Sequence, residues 1–266
     1  MLGLNNNQYD ENIKNIPSNE SSSLISVLFG KNKCTDVNIL SLIILDLINK
    51  NQIKCDIDFN DSYNAGRKLT HQDMEVMKKI TLRLSNKGEL KTSETLAINL
   101  LKNMNKNKKF NLKAMTKQSN NTSIANKFGN DFNEFVKAFT NENEFDGKNY
   151  KDILENDKLT NRGKELKKEW RNFQNYLKSK DLTNQYPPES VEENSTQILY
   201  SPSFDIEKDA LNIRQNNTQL TDFIDKDGYK LLNMIFNNAL DNVTEKRNGD
   251  GVFYGVNEKY TIPGGG

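Results

Sequence analysis

VNILSLIILDLINKNQIKCDIDF (Val37–Phe59) changes its period partway along, and that change decides the fold class. Up to Lys50, the residues Ile39, Ile43 and Leu47 recur every four positions, the signature of a helix with one apolar face, and Thr35–Asp36 can cap its start. Asn51–Gln52 then turns the chain, and Ile53 to Phe59 alternates apolar with polar, as a half-buried strand does. Residues 1–17 form a polar lead ending at Pro17, and Ser18–Ser23 supplies an N-cap and first turn for a short helix through Val27–Phe29. Helix, helix, short strand and polar loop is the order of a small winged-helix module, expected over 18–66, with Asn60–Gly66 as its wing or the link out of it.

A second helical, winged-helix-like module is expected over 67–158. Thr70 and Asp73 resemble a capping box, and Met74, Met77, Ile80 and Leu84 continue a helix. Ser93–Met104 carries Leu96, Leu100 and Met104 on one face, Lys106–Lys109 reads as a charged turn, and Phe110–Met115 starts a short helix. Thr122 to Phe139 presents Phe128, Phe132, Phe135 and Phe139 at helical spacing, a stripe better suited to core packing than to a ligand groove. Asn141–Asp152 is a link, and Leu159–Thr160 a short strand or cap. A C-terminal helical segment over 159–215 and a partly disordered tail over 216–266 complete the division. The tail holds one helix, Tyr229–Leu240, and a flexible glycine-rich end. The expected class is mostly α, with one or two winged-helix-like modules and a long tryptophan-bearing helix.

Composition bounds the function. The 266 residues are 35% hydrophobic, with mean hydropathy −0.81, which is lean for one large core. Net charge is +1 but unevenly distributed: 13 basic against 4 acidic residues over Gly66–Gln118, and 7 against 13 over Glu189–Gly266. A basic half can bind nucleic acid or an anionic membrane surface, or pair with the acidic half. Cys34 and Cys55 read as small buried hydrophobes of a reducing compartment, and the polar start carries no secretory signal. The longest apolar run, Val37–Ile48, is too short to span a bilayer and contains Asp46.

TNRGKELKKEWRNFQNYLKSKDLTNQYPPESV (Thr160–Val191) holds the single tryptophan, Trp170. Leu166, Trp170, Phe173 and Leu177 share one helical face as a candidate structural anchor, while Lys164, Lys167, Lys168 and Arg171 stay in water. An RGKEL–EW–F–L stretch followed by PPE resembles the end of the cytoplasmic region in the YciQ-like group of uncharacterised predicted membrane proteins. ILSLIILDLINKNQIKCDI (Ile39–Ile57) is similar to that group's first helix and strand, with Asn51 in place of a glycine. Leu69–Lys79 and Ile198–Leu211 are weaker echoes, so the resemblance covers about residues 9–215 and is specific only over 160–191. It departs from the pattern in lacking a tryptophan soon after PPESV. Pro202 also falls where the group has an unbroken helix, and a bent or broken segment is expected there. The resemblance implies a soluble excerpt, or a diverged relative that lost its membrane anchors, located in the cytoplasm and, where the native protein has anchors outside this chain, at the inner face of the membrane.

His71 with Asp73 is one imidazole among scattered acids, a poor zinc set, and Cys34 and Cys55 lack metal or redox spacing. Asp225–Gly228 resembles the centre of a calcium loop, but Phe223 and Met234 stand where acids are required, so a turn before the Tyr229 helix is the better reading. No phosphate-cradling glycine loop or nucleophile elbow occurs, and no catalytic residue, cofactor or metal is expected. Lys106, Lys108, Lys109, Lys113 and Lys117 form a candidate polyanion-binding stripe around a short helix. On DNA these lysines would contact phosphates and Asn111 or Gln118 bases, but the stripe holds no arginine, which favours a diffuse anionic surface. The expected function is a non-catalytic cytoplasmic module that docks a protein or lies on the membrane surface. The alternative is a tandem winged-helix DNA-binding regulator.

Overall fold

Short polar residues mark most of the helix starts, because their side chains accept from the first turn's orphan N–H groups. The computed structural model describes residues 16–18, 20–29, 36–56, 79–85, 88–105, 109–140, 153–155, 158–183, 199–204, 206, 223–224 and 228–247. Ser21 Oγ accepts from Leu24 N (3.3 Å) and opens α1, Ser22–Phe29. Helix α2 is Asp36–Asn49. Glu94 accepts from Lys91 N (3.0 Å) at the start of α3, Thr92–Met104. Asn111 Oδ1 accepts from Ala114 N (3.1 Å) to open α4, Leu112–Ser119, and Asn121 Oδ1 from Ser123 N (3.1 Å) to open α5, Thr122–Thr140. Thr160 Oγ1 accepts from Gly163 N (3.0 Å) to open α6, Asn161–Thr183, and α7 spans Gly228–Arg247.

Asn51 ends α2 with φ +56°, a left-handed residue. Its N–H donates to Ile48 O (3.0 Å) and that of Gln52 to Leu47 O (2.9 Å), the paired bonds of a Schellman cap, where glycine is usual and asparagine the commonest substitute. That turn delivers the chain into β1, Ile53–Asp56, which pairs antiparallel with β2, Thr81–Leu84. Strand β2 in turn pairs antiparallel with β3, Lys109–Asn111, so the sheet order is β1-β2-β3. A two-stranded hairpin, β4 (Leu154–Glu155) with β5 (Lys158–Leu159), leads into α6. The described residues are thus mostly helical, with one small antiparallel three-stranded sheet.

The buried apolar residues form one continuous cluster from α1 to α7. Helix α5 packs between α3 and α7, and Phe128, Phe132, Phe135 and Phe139 are all buried there; Phe128 stacks on Phe236 of α7 at 5.6 Å. Helix α7 also packs on α2 and α4. Asn238 Nδ2 donates to Ser119 Oγ (2.6 Å) and Asn242 Nδ2 to Ser119 O (3.0 Å), so α7 caps the end of α4.

Several sequence expectations need correction. Ile80 and Leu84 do not continue a helix: Thr81–Leu84 is the central strand, because a four-residue apolar spacing fits either period and pairing on both edges decides. Lys109 and Phe110 lie in β3 and not in a turn and a helix, since Asn111 caps α4 only from Leu112 onward. The sheet joins strands from both sides of the expected 66/67 division, and the core runs through it without a break. Helix α7 extends the expected Tyr229–Leu240 helix to Gly228–Arg247, and its Leu231, Leu232, Ile235, Phe236, Ala239 and Leu240 are buried in the core. At Pro202 the chain turns as a 3-10 helix, Ser201–Phe204, against α1, which is the interruption the proline requires. The Thr70–Asp73 capping box, the 141–152 link and the glycine-rich end fall outside the described residues.

Candidate functional site

Alternation puts Ile53, Cys55, Leu82, Leu84 and Phe110 on one side of the sheet, where Ile53, Leu82 and Phe110 are fully buried and Cys55 and Leu84 pack against the core. The register then fixes what the other side carries. Lys54 is the partner of Arg83, and Arg83 the partner of Lys109, so three cations stand side by side in one row across the strands. Arg83 and Lys109 are exposed and Lys54 half-buried. Like charges directly opposite on neighbouring strands oppose pairing. Among the described residues Asp56 relieves the row: its Oδ1 accepts from Arg83 Nη2 at 3.2 Å, with both side chains about half exposed.

This row joins the lysine stripe expected from sequence. Lys109 belongs to it, Lys113 and Lys117 are exposed on α4, and Lys106 and Lys108 lie outside the described residues. Lys54 and Arg83 were missed. The alternation at Ile53–Cys55 already turned Lys54 outward, but reading Leu84 as helical removed the strand that carries Arg83. Asn111 is not a free base reader: its Oδ1 caps α4 and its Nδ2 donates to Thr81 Oγ1 (3.2 Å). Lys164, Lys168 and Arg171 form a second exposed basic face on α6, beside Arg162, which pairs with Glu165 and Glu169.

Leu166, Trp170, Phe173 and Leu177 are all buried on the inner side of α6. Trp170 packs against Tyr200 (4.7 Å), Phe173 (5.7 Å) and Phe204 (6.3 Å), and its Nε1 donates to Ser18 Oγ (3.1 Å). The ring thereby holds α6, the 199–204 segment and the chain leading into α1 together. Thr160 and Gly163 have their own reason. Thr160 N and Oγ1 both donate to Ile153 O, and a Cβ at Gly163 would collide with that carbonyl, so only glycine lets α6 start against the hairpin.

A polar cluster is buried where α1, α2 and α3 meet. Asp46 accepts from Ser22 Oγ (3.2 Å), and Glu94 from Lys50 Nζ (2.9 Å). Burial is the main cause that raises the Asp46 carboxyl to about 7, with Glu94 adding to it; Lys50, the Ser22 bond and Lys91 act against it. Burial also lowers Lys91, helped by Lys50 and opposed by Glu94, Asp46 and Glu20. The Tyr200 hydroxyl donates to Glu20 O (2.6 Å) and is raised by burial and by the Asp46 and Glu20 charges. The Ser22–Asp46 bond ties α1 to α2, the Lys50–Glu94 pair ties α2 to α3, and Tyr200 ties the 199–204 segment to the residues leading into α1. Among the described residues, no group of three or more His, Cys, Asp or Glu could hold a metal ion, and no helix is long and apolar enough to cross a membrane. His71, Cys34 and Asp225–Asp227 lie outside the described residues, while Gly228 begins α7 against the Phe223 ring.

No family model matches this chain, and neither a curated protein nor a solved structure does.

Proposed function

We propose that the chain is a non-catalytic docking module that lies on an anionic membrane surface from the cytoplasmic side, as the YciQ-like resemblance of 160–191 implies. One observation carries the reading. The aromatic stripes of α5 and α6 are turned into the core, while the basic residues Arg83, Lys109, Lys113, Lys117, Lys164, Lys168 and Arg171 are left in solvent. Such exposed cations make electrostatic contacts, of about 1 kcal/mol per base on an anionic leaflet. Vesicle flotation tests it: the protein should float with vesicles containing phosphatidylserine and stay behind with neutral phosphatidylcholine vesicles. Equal recovery with both, or with neither, contradicts the reading.

The second reading is a winged-helix regulator in which α1–α2–β1 and β2–α3–β3–α4 are two units sharing a sheet. Arg83 beside Lys109 favours it, because the cluster then holds the guanidinium suited to phosphates and guanines. Its test is anisotropy of mixed-sequence duplex DNA near about 150 mM salt, where a regulator still binds.

A further inference from the structure

Resting on the membrane-surface reading, we infer that the cross-strand row Lys54–Arg83–Lys109 is the part of this surface that takes lipid phosphate groups. The row is an arrangement that folding alone disfavours. Two pairs of like charges sit at adjacent register positions, and among the described residues Asp56 is the acid paired with the row. Replacing Lys54 or Lys109 by a neutral polar residue would remove a like charge and leave the Arg83–Asp56 pair in place, so cross-strand pairing does not call for either lysine. Their geometry suits phosphate. Neighbouring strands run about 5 Å apart, so the row roots three cationic side chains along roughly 10 Å of the sheet. The middle one is a guanidinium, whose planar fork matches two oxygens of one phosphate group. Asp56 already occupies that fork with a carboxylate oxygen at 3.2 Å, a contact that an incoming phosphate oxygen would replace.

The surroundings favour a lipid surface over nucleic acid. Among the described residues of the sheet the one aromatic ring, Phe110 of β3, points away and is fully buried, so it is not placed to stack on a base. Asn111, the polar neighbour, spends its side chain on the α4 cap and on Thr81. The row's own outward side chains are all charged, and Lys113 and Lys117 continue them on the helix that β3 runs into.

The test compares the full chain with three variants by cosedimentation on phosphatidylcholine vesicles carrying about a third phosphatidylserine. Lys54→Gln/Arg83→Gln/Lys109→Gln should bind roughly fivefold more weakly per base, on the order of 100-fold in all, while its urea midpoint is unchanged or higher. Asp56→Asn should bind about fivefold more tightly. The control Lys164→Gln/Lys168→Gln/Arg171→Gln on α6 should lose less than the row variant. Undiminished binding by the row variant, or a larger loss in the α6 control, overturns the inference and leaves the membrane-surface reading standing. A wild-type chain that sediments with no anionic vesicle overturns that reading itself. Duplex DNA bound more tightly than the vesicles, and lost with the row, overturns the choice of lipid.

Discussion

Replacing Asp46 by Asn is expected to change stability in a pH-dependent way whose sign follows from burial. The carboxyl lies among α1, α2 and α3, and its value rises from 3.8 to about 7 on folding. A raised acid holds its proton more tightly in the folded chain. Its stabilising effect is therefore complete below the unfolded value and is lost as the pH climbs to the folded one. With 1.36 kcal/mol per unit, the wild-type chain should lose on the order of 3 kcal/mol between about pH 5 and about pH 8 through Asp46 alone. Asn keeps an acceptor for Ser22 Oγ and has no charge to bury, so the variant lacks this loss. Urea unfolding of both proteins at the two pH values gives the difference, in which the other titrating groups cancel. The variant should gain about 3 kcal/mol on the wild type between the acid and the alkaline measurement. Parallel curves would refute the reasoning, and a variant that weakens toward alkaline pH would reverse it. The latter would mean that Lys50 and Lys91 outweigh burial.

Trp170→Ala removes a fully buried ring that touches α6's own Phe173 and the 199–204 segment, and urea unfolding should show a loss of about 3–5 kcal/mol; a loss below about 1 kcal/mol would mean the ring is not core. Gly163→Ala should cost about 1–3 kcal/mol, because the added methyl meets the Ile153 carbonyl, a backbone atom; an unchanged thermal midpoint would contradict that contact. Asn51→Gly should stabilise by a few tenths to about 1 kcal/mol and Asn51→Val destabilise by more, since φ is +56°; chemical unfolding that ranked Val above Gly would contradict the left-handed cap.

Much of the helical framework was legible because long amphipathic stretches announce themselves. Val37–Lys50, Ser93–Met104, Thr122–Phe139 and the Trp170 helix appear within a few residues of where periodicity and caps put them. Leu166, Trp170, Phe173 and Leu177 were readable as an inner face for the same reason. The sheet was the weak point. Strand β1 showed its alternation, but β2 and β3 carry too few positions to show a period, and Ile80 and Leu84 fit a helical spacing equally well. Pairing between distant residues settles such cases, and a single sequence does not contain it. That loss propagated to the site: without β2 there is no register, and without register Lys54, Arg83 and Lys109 are merely three separate bases. The cluster of Asp46, Glu94, Lys50 and Tyr200 was hidden likewise, since an acid in an apolar helix shows only that something must receive it. The place of Tyr229–Leu240 in the core also depends on distant partners, among them Phe128 and Ser119.

The most direct measurement of the central claim is a salt series of vesicle binding. The labelled full chain is titrated with phosphatidylserine-containing vesicles from about 50 to about 300 mM salt, beside the same series with duplex DNA. The account predicts vesicle binding that weakens steadily with salt and exceeds DNA binding near about 150 mM. Vesicle binding that is absent, that ignores salt, or that is weaker than binding to DNA would contradict it.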